Sequence, residues 1–230
     1  MKHTDRQEIV KPEAMIFDLD GTLFRTESIL LRAYRRVFDT LRAEGLYAGD
    51  VPPEERILSS LGMLLEQIWY RVMPEAGEAA RRRADELLLL YEKEELEAGR
   101  GELYPGVAET LRELRARGVR LFIASNGLEA YVKDVPRVFG IAGLFEAMYS
   151  AGEYRTSSKV DLVRLLLERH DVRRAWMVGD RSSDVEAGKR NGLVVAGCLY
   201  AGFGRQEELD GADFLVGSFP ELLERLERLD

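Results

Sequence analysis

Two carboxylates follow a short apolar segment near the start of the chain, in the run Met15-Ile-Phe-Asp-Leu-Asp-Gly-Thr-Leu23. Successive side chains of a β-strand point to opposite faces, so Asp18 and Asp20 share a face if the backbone stays extended. Gly21 then lets the chain turn through backbone angles that other residues avoid. Neighbouring carboxylates repel each other and call for a cation, a shared proton or both. The pattern favours a chemical site over its plain alternative, a solvated Asp-Leu-Asp-Gly turn.

Polar side chains also follow other apolar segments, at the points where the predicted strands end. In open α/β sheets, ligands bind beyond the carboxyl ends of the strands, so we expect these side chains to converge. Together they offer four carboxylates, a hydroxyl, an amide and an ammonium, from Asp18, Asp20, Ser125, Asn126, Lys159, Asp180 and Asp184.

This combination of groups suits phosphoryl transfer. The chain has only two histidines, His3 and His170, so an imidazole-rich metal site is impossible and any metal must be held by oxygen. Mg²⁺ prefers such hard oxygen ligands. A cation, an ammonium, and hydroxyl or backbone donors can stabilise the charge of a phosphoryl group in its transition state. A carboxylate can also attack phosphorus itself and form an aspartyl-phosphate.

The elements that must position these groups follow two different patterns along the chain. From about residue 27 to residue 100, apolar residues recur at three- and four-residue spacing, which predicts successive helices. After Leu103, short apolar segments alternate with helical patterns, which indicates a mostly parallel sheet covered by helices on both faces. The predicted strands after the first are 119–124, 147–150, 175–178, 193–196 and 214–216.

The first strand belongs to this sheet but lies before the helical stretch, so the helices form an insertion. We predict an α/β protein with a parallel-sheet core of residues 1–24 and 102–230 and an all-helical inserted domain of residues 25–101. The linkers near residues 24–27 and 99–103 must then lie side by side as a hinge. Arg25 lies at this hinge, where bridging the two parts is favoured over contact with an anionic substrate.

Composition excludes several classes of function. The formal charge of −8 gives no electrostatic basis for nucleic-acid binding. The basic cluster 81–83 is followed by six acidic residues between 85 and 97, which we interpret as helix solvation. A single cysteine, Cys198, rules out an internal disulfide and is compatible with a reducing cytoplasm. We find no signal-peptide pattern and no apolar run long enough for a membrane span, so we expect a cytoplasmic protein, monomeric or homodimeric.

Four motifs in order along the chain resemble those of the haloacid dehalogenase-like hydrolase superfamily. They are DLDGT at 18–22, SNG at 125–127, a lysine that opens a helix at 159, and GDRSSD at 179–184. The resemblance implies a Rossmann-like core, and the helical insertion resembles the superfamily's small helical cap. Asp20 is informative, because dehalogenase members lack an acid at that position. The resemblance therefore points to phosphate esters and not to carbon–halogen bonds.

The resemblance also implies a role for each motif residue. Asp18 would be the nucleophile that accepts the phosphoryl group, and Asp20 would be the general acid and base. Ser125 and the backbone N–H of Asn126 would bind phosphate oxygens, and Lys159 would balance charge between nucleophile and phosphate. The implied cofactor is Mg²⁺, bound or supported by Asp18, the carbonyl of Asp20, Asp180 and Asp184.

The substrate is less closely defined by the sequence. The part of the chain after Leu199 resembles the phosphoglycolate phosphatase branch and its nucleotidase and pyrophosphatase neighbours. We expect a magnesium-dependent phosphatase of a small phosphorylated metabolite. The alternatives are a 5′-nucleotidase, a pyrophosphatase, a phosphomutase and, more remotely, a non-catalytic phosphate-binding regulator. Residues 59–63 and Arg71 are candidates for specificity, while Met63, Ile68 and Trp69 are equally compatible with the core of the insertion.

Overall fold

A six-stranded parallel sheet forms the centre of the computed structural model, which describes residues 9–63, 65–201 and 206–229. The strand order is β3-β2-β1-β4-β5-β6. The strands are β1 (Ala14–Phe17), β2 (Arg120–Ser125), β3 (Ala147–Ser150), β4 (Ala175–Gly179), β5 (Val194–Cys198) and β6 (Phe214–Val216).

Helices cover both faces of this sheet. In β1, Met15 and Phe17 pack into one apolar cluster, while Ala14 and Ile16 pack into another on the opposite face. This two-sided burial explains why β1 is a continuous apolar run and not an alternating one. The helices after the insertion are α5 (Val107–Ala116), α6 (Glu129–Val138), α7 (Ala151–Tyr154), α8 (Lys159–His170), α9 (Ser182–Arg190) and α10 (Glu221–Glu227).

The segment between β1 and α5 is helical and has an apolar cluster of its own. Tyr34, Phe38 and Trp69 lie at the centre of that cluster, with the rings of Tyr34 and Trp69 stacked at 6.4 Å between centroids. The helices of this segment, which we call the helical insertion, are α1 (Glu27–Ala43), α2 (Glu54–Leu58), α3 (Leu65–Val72) and α4 (Glu78–Glu97). None of the helices among residues 9–63, 65–201 and 206–229 is both long and apolar enough to cross a membrane.

The two linkers that join the helical insertion to the sheet run side by side, as predicted. The backbone N–H of Arg25 donates to the carbonyl of Glu102 at 2.9 Å, and the Arg25 guanidinium pairs with the Glu102 carboxylate at 2.6 Å. Arg25 therefore bridges the two linkers, although an ion pair this exposed contributes at most about 1 kcal/mol. The division into two domains stays a prediction.

The sheet places the ends of three strands next to each other. The order β2-β1-β4 brings the ends of these strands together at the carboxyl edge of the sheet. Phe17 is in register with Ile123 of β2 and Val178 of β4, so Asp18 follows β1 at the level where both neighbouring strands end. The parallel α/β fold predicted from the alternation of apolar segments and helices is confirmed.

One expectation about the insertion was wrong. Glu92 and Glu95 of α4 are buried, whereas we expected the acidic residues of this stretch to be solvated. Glu95 forms an ion pair with Arg36, and the Arg100 guanidinium donates to the same carboxylate. Glu92 of the same helix lines the cavity that is described below.

Candidate active site

The loop after β1 brings Asp18 and Asp180 close together. The backbone N–H of Asp18 donates to the carbonyl of Val178 at 2.9 Å, which fixes the loop against β4. Gly21 has a φ of +75°, and a Cβ at this position would collide with the Asp180 carboxylate. Glycine is therefore required at residue 21 both by its backbone conformation and by the space that Asp180 occupies.

A buried charge cluster lies at the carboxyl edge of the sheet. The Lys159 ammonium is 2.7 Å from a carboxylate oxygen of Asp18 and 2.6 Å from one of Asp184. Asp18, Asp180 and Asp184 each offer an oxygen within 4.8 Å of the others. The Lys159 ammonium thus contacts two of the three buried carboxylates, and the cluster keeps an excess of negative charge.

The pKa values in this cluster reflect that excess. Burial and the neighbouring Asp184 carboxylate raise the pKa of Asp18 to about 7, although Lys159 opposes the shift. Burial and the Asp18 carboxylate raise the pKa of Asp180 well above its usual range. Burial by itself lowers the pKa of Lys159, but Asp18 and Asp184 outweigh it and raise that pKa above its usual range. Lysine therefore stays charged, while the carboxylates need a further cation.

Two carboxylate oxygens of the cluster are suited to a divalent cation. Oδ2 of Asp18 and Oδ2 of Asp180 are buried and accept no hydrogen bond from the residues that the structure describes. Buried acceptors are normally paired, and a pair of unpaired carboxylate oxygens is the hard donor set that Mg²⁺ prefers. Asp184 differs, because its oxygens already accept from Lys159 and from the backbone N–H of Arg181 at 3.0 Å. This arrangement favours a supporting role for Asp184.

Asp20 is held in place by two side chains that sequence reasoning missed. Its Oδ1 accepts hydrogen bonds from the Thr26 hydroxyl at 2.6 Å and from the Tyr131 hydroxyl at 2.7 Å. Burial raises the pKa of Asp20, and these two hydrogen bonds partly oppose that shift. Thr26 follows Asp20 closely, but Tyr131 lies on α6 and has no spacing signal that connects it to the first loop.

The loop after β2 supplies the residues predicted to bind phosphate. Ser125 is buried, and its hydroxyl accepts from the backbone N–H of Gly127 at 3.1 Å. The Asn126 side chain donates to the carbonyl of Gly62 at 2.7 Å, so it holds the helical insertion to the core. The backbone N–H of Asn126 remains the group proposed for phosphate.

All seven predicted site residues lie in one region. Four of them line a cavity of about 70 Å³ between the sheet and the helical insertion: Asp18, Asp20, Ser125 and Asn126. The other three, Lys159, Asp180 and Asp184, adjoin Asp18 in the buried charge cluster.

Comparison with known proteins agrees with this arrangement. A sequence profile of haloacid dehalogenase-like hydrolases matches residues 15–198. The chain belongs to the haloacid dehalogenase-like hydrolase family. It is 28% identical over 190 residues to the phosphoglycolate phosphatase of Aquifex aeolicus, covering 81% of this chain and 84% of the relative. It is 30% identical over 227 residues to tyrosine-protein kinase PtkA of Mycobacterium tuberculosis, covering 94% of this chain and 71% of the relative.

The structure of the hydrolase is also similar to a solved one. It matches CbbY from Rhodobacter sphaeroides, crystallised in complex with phosphate, with a TM-score of 0.79 and 26% identity. The match covers 94% of this chain and 99% of CbbY. These comparisons confirm the prediction of a hydrolase of the phosphatase class.

The core of the hydrolase also holds one loop of the insertion through Arg181. This buried residue lies in the GDRSSD motif, and its guanidinium donates to the carbonyl of Ser59 at 3.1 Å. It also pairs with Glu208 at 2.9 Å. With Asn126, Arg181 therefore anchors residues 59–63 to the core. Sequence reasoning did not identify this role.

The candidates for specificity in the insertion take different positions. Met63 lines the cavity, and Ile68 both lines it and packs in the apolar cluster of the insertion. Trp69 is buried in that cluster and does not line the cavity. Arg71 is exposed and does not line the cavity. Its guanidinium donates to the Ser59 hydroxyl at 3.1 Å.

Glu92 gives the hydrolase a pH-dependent contribution to stability. It lines the cavity facing Asp20 and Tyr131 of the core, with Asp85 on its own helix. Burial, reinforced by the Asp20 carboxylate, raises the pKa of Glu92 from its usual 4.5 to about 8. The unfolded chain releases this proton near pH 4.5, whereas the folded chain keeps it, so Glu92 costs stability as the pH rises from 4.5 to about 8.

We therefore expect Glu92→Gln to stabilise the metal-free protein at pH 8 by about 2 kcal/mol, with a much smaller gain at pH 5. Urea unfolding at the two pH values measures the difference. Glu94→Gln, on the exposed side of the same helix, is the control and should change stability by less than about 0.5 kcal/mol at either pH. An equal effect of Glu92→Gln at both pH values would show that the pKa of Glu92 is not raised in the folded protein.

Proposed function

We propose that this protein is a magnesium-dependent phosphatase that hydrolyses a small phosphorylated metabolite through an aspartyl-phosphate on Asp18. The observation that carries the proposal is the buried cluster of Asp18, Lys159, Asp180 and Asp184 beside a cavity between the sheet and the helical insertion. Asp18 is a buried carboxylate in contact with an ammonium, and the cluster around it carries excess negative charge. These properties suit a nucleophile that acts next to a metal ion.

The reaction has two steps. A carboxylate oxygen of Asp18 attacks phosphorus, and the bond from phosphorus to the alcohol oxygen breaks while Asp20 gives that oxygen a proton. Asp20 then takes a proton from water, the water oxygen attacks phosphorus, and the bond to Asp18 breaks to release phosphate. The raised pKa of Asp20 suits its first task, because the proton must still be present when the substrate binds.

The other residues of the site act on charge and orientation. Lys159 stabilises the negative charge that Asp18 and the phosphoryl group share in the transition state. Ser125 and the backbone N–H of Asn126 orient the phosphoryl oxygens. Asp18 and Asp180 would hold Mg²⁺, supported by Asp184 and the carbonyl of Asp20. Bound Mg²⁺ supplies a positive charge that neutralises part of the phosphoryl group's charge.

The size of the cavity supports a small substrate. A water molecule needs about 10–15 Å³ of space measured in the same way, so about 70 Å³ accommodates a short alcohol and not a protein loop. The names of the relatives do not choose among substrates. They include a phosphoglycolate phosphatase, a pyrophosphatase and a protein-tyrosine kinase, and a related CbbY crystal contains xylulose-(1,5)bisphosphate.

Phosphate release from a panel of small phosphate esters, nucleotides and pyrophosphate tests the proposal. We expect activity with Mg²⁺ on at least one ester and a loss of at least about a hundredfold when EDTA replaces the metal. Added Mg²⁺ should then restore the activity. Full turnover in EDTA would contradict the metal-dependent mechanism, and isomerisation of a sugar phosphate without phosphate release would point to a phosphomutase.

A further inference from the structure

The wall that the helical insertion contributes to the cavity has an unusual chemistry. Helix α4 presents Asp85, Leu88, Leu89 and Glu92 to it, at the three- and four-residue spacing that places side chains on one helix face. The other residues that the helices and loops of the insertion contribute are mostly apolar: Leu30, Ile57, Leu61, Met63 and Ile68. Leu128 of the core adds a further apolar side chain. The part of the cavity beyond Asp18 is therefore apolar with two acidic groups.

In the part of the chain that the structure describes, no cationic side chain lines this cavity. Among the described residues that line it, none is lysine, arginine or histidine. Lys159 is held between Asp18 and Asp184, at the phosphoryl end of the site. Arg181 pairs with Glu208 and with the carbonyl of Ser59, and it does not line this cavity.

Glu92 is the residue that says most about the ligand groups that this cavity could bind. Glu92 is 8% exposed, and within the described part of the chain it forms neither an ion pair nor a hydrogen bond. A buried carboxyl group without a protein partner is costly, so its place beside an active-site cavity indicates that a ligand group satisfies it.

We infer that the substrate is a phosphate monoester whose alcohol is largely apolar, carries a hydroxyl or ammonium donor for Glu92, and has no second anionic group. The inference rests on the proposed function and names its substrate class. The apolar wall would bury the carbon chain of the alcohol, while Glu92 would accept the donor at its far end.

The same geometry disfavours several substrates of the named relatives. The carboxylate of phosphoglycolate, or the second phosphate of a bisphosphate, would lie against Glu92, and none of the described residues that line the cavity is a lysine or arginine that could pair with it. When Glu92 is ionised, a second anion beside it in this desolvated site is strongly unfavourable, so binding such an anion requires Glu92 to take up a proton. Glu92 thus acts as a specificity determinant against metabolites that carry a second anionic group besides the phosphate.

Three esters with the same three-carbon chain test the inference: propyl phosphate, 3-aminopropyl phosphate and 3-phosphooxypropanoate, which end in methyl, ammonium and carboxylate. At pH 9, above the pKa of about 8 for Glu92, we expect kcat/KM for the carboxylate-ended ester to be at least about tenfold below that of both others. Glu92→Lys should reverse this order, and Glu92→Gln should raise the relative rate of the carboxylate-ended ester without reversing the order.

The outcomes separate this inference from the proposed function. If the carboxylate-ended ester is the best of the three, or if Glu92→Gln leaves the ratio unchanged, the substrate class is wrong while the phosphatase stands. If no ester, including p-nitrophenyl phosphate, releases phosphate in an Asp18-dependent manner, the proposed function itself fails. Circular dichroism checks that the Glu92→Lys variant is folded. If that variant does not fold, the result for Glu92→Gln alone tests the substrate class.

Discussion

Replacing Asp18 by asparagine is expected to lower kcat for phosphate release by at least about three orders of magnitude while leaving the fold intact. The amide cannot attack phosphorus as a carboxylate does, so no aspartyl-phosphate forms. Because asparagine has nearly the same shape, the loop after β1 should keep its hydrogen bond to Val178. Phosphate release under single-turnover conditions measures the loss directly.

The same variant should not destabilise the metal-free protein. Asp18 shares one ammonium with Asp184 and lies within 4.8 Å of Asp180, so removing its charge relieves repulsion within the cluster. We expect the thermal unfolding midpoint in EDTA to stay the same or to rise. A marked fall would mean that the attraction between Asp18 and Lys159 outweighs the repulsion among the carboxylates.

Asp20→Asn is the matched comparison, because it also replaces one carboxylate of the first loop. It should slow the hydrolysis of alkyl esters more than the hydrolysis of aryl esters. The leaving oxygen of an alkyl ester needs a proton, whereas the leaving group of an aryl ester is stable without one. With an aryl ester it should also accumulate phosphorylated enzyme, which mass spectrometry detects and which Asp18→Asn cannot form. Near-normal turnover of an alkyl ester by Asp20→Asn would make the acid assignment wrong.

The sequence was sufficient for the sheet and for the motif residues because both depend on local patterns. A strand buried on both faces is a continuous apolar run, and its carboxyl end is marked by the polar residue that follows, as with Phe17 and Asp18. The parallel order of the strands then brings residues together that lie far apart in the chain. Asp18, Lys159 and Asp184 meet for this reason.

What the sequence could not provide was the environment of side chains whose partners have no fixed spacing. Glu92 lies in an acidic helix that looks solvated, and its burial depends on how α4 packs over the core. Tyr131 contacts Asp20 only because α6 lies beside the first loop. Such contacts arise from the packing of one element against another and leave no periodic pattern, so the chemistry of the substrate pocket was not predictable.

Replacing Lys159 by methionine is expected to destabilise the metal-free protein by about 3–5 kcal/mol. The substitution keeps the volume of the side chain but leaves Asp18, Asp180 and Asp184 buried without the ammonium that contacts two of them. Removing one partner of a buried ion pair is strongly unfavourable because the remaining charge is uncompensated. Urea unfolding in EDTA measures the change.

Lys133→Met is the control for the loss of a lysine as such. Lys133 pairs with Glu129 at 2.6 Å, but its side chain is 40% exposed, so its loss should change stability by less than about 0.5 kcal/mol.

Adding Asp18→Asn to Lys159→Met should recover part of the stability, because the two side chains interact directly and their effects are then not additive. Saturating Mg²⁺ should also stabilise Lys159→Met, since a ligand that binds the folded state favours it. If Lys159→Met were no more destabilising than Lys133→Met, the cluster would not hold the excess negative charge on which the metal-dependent mechanism depends.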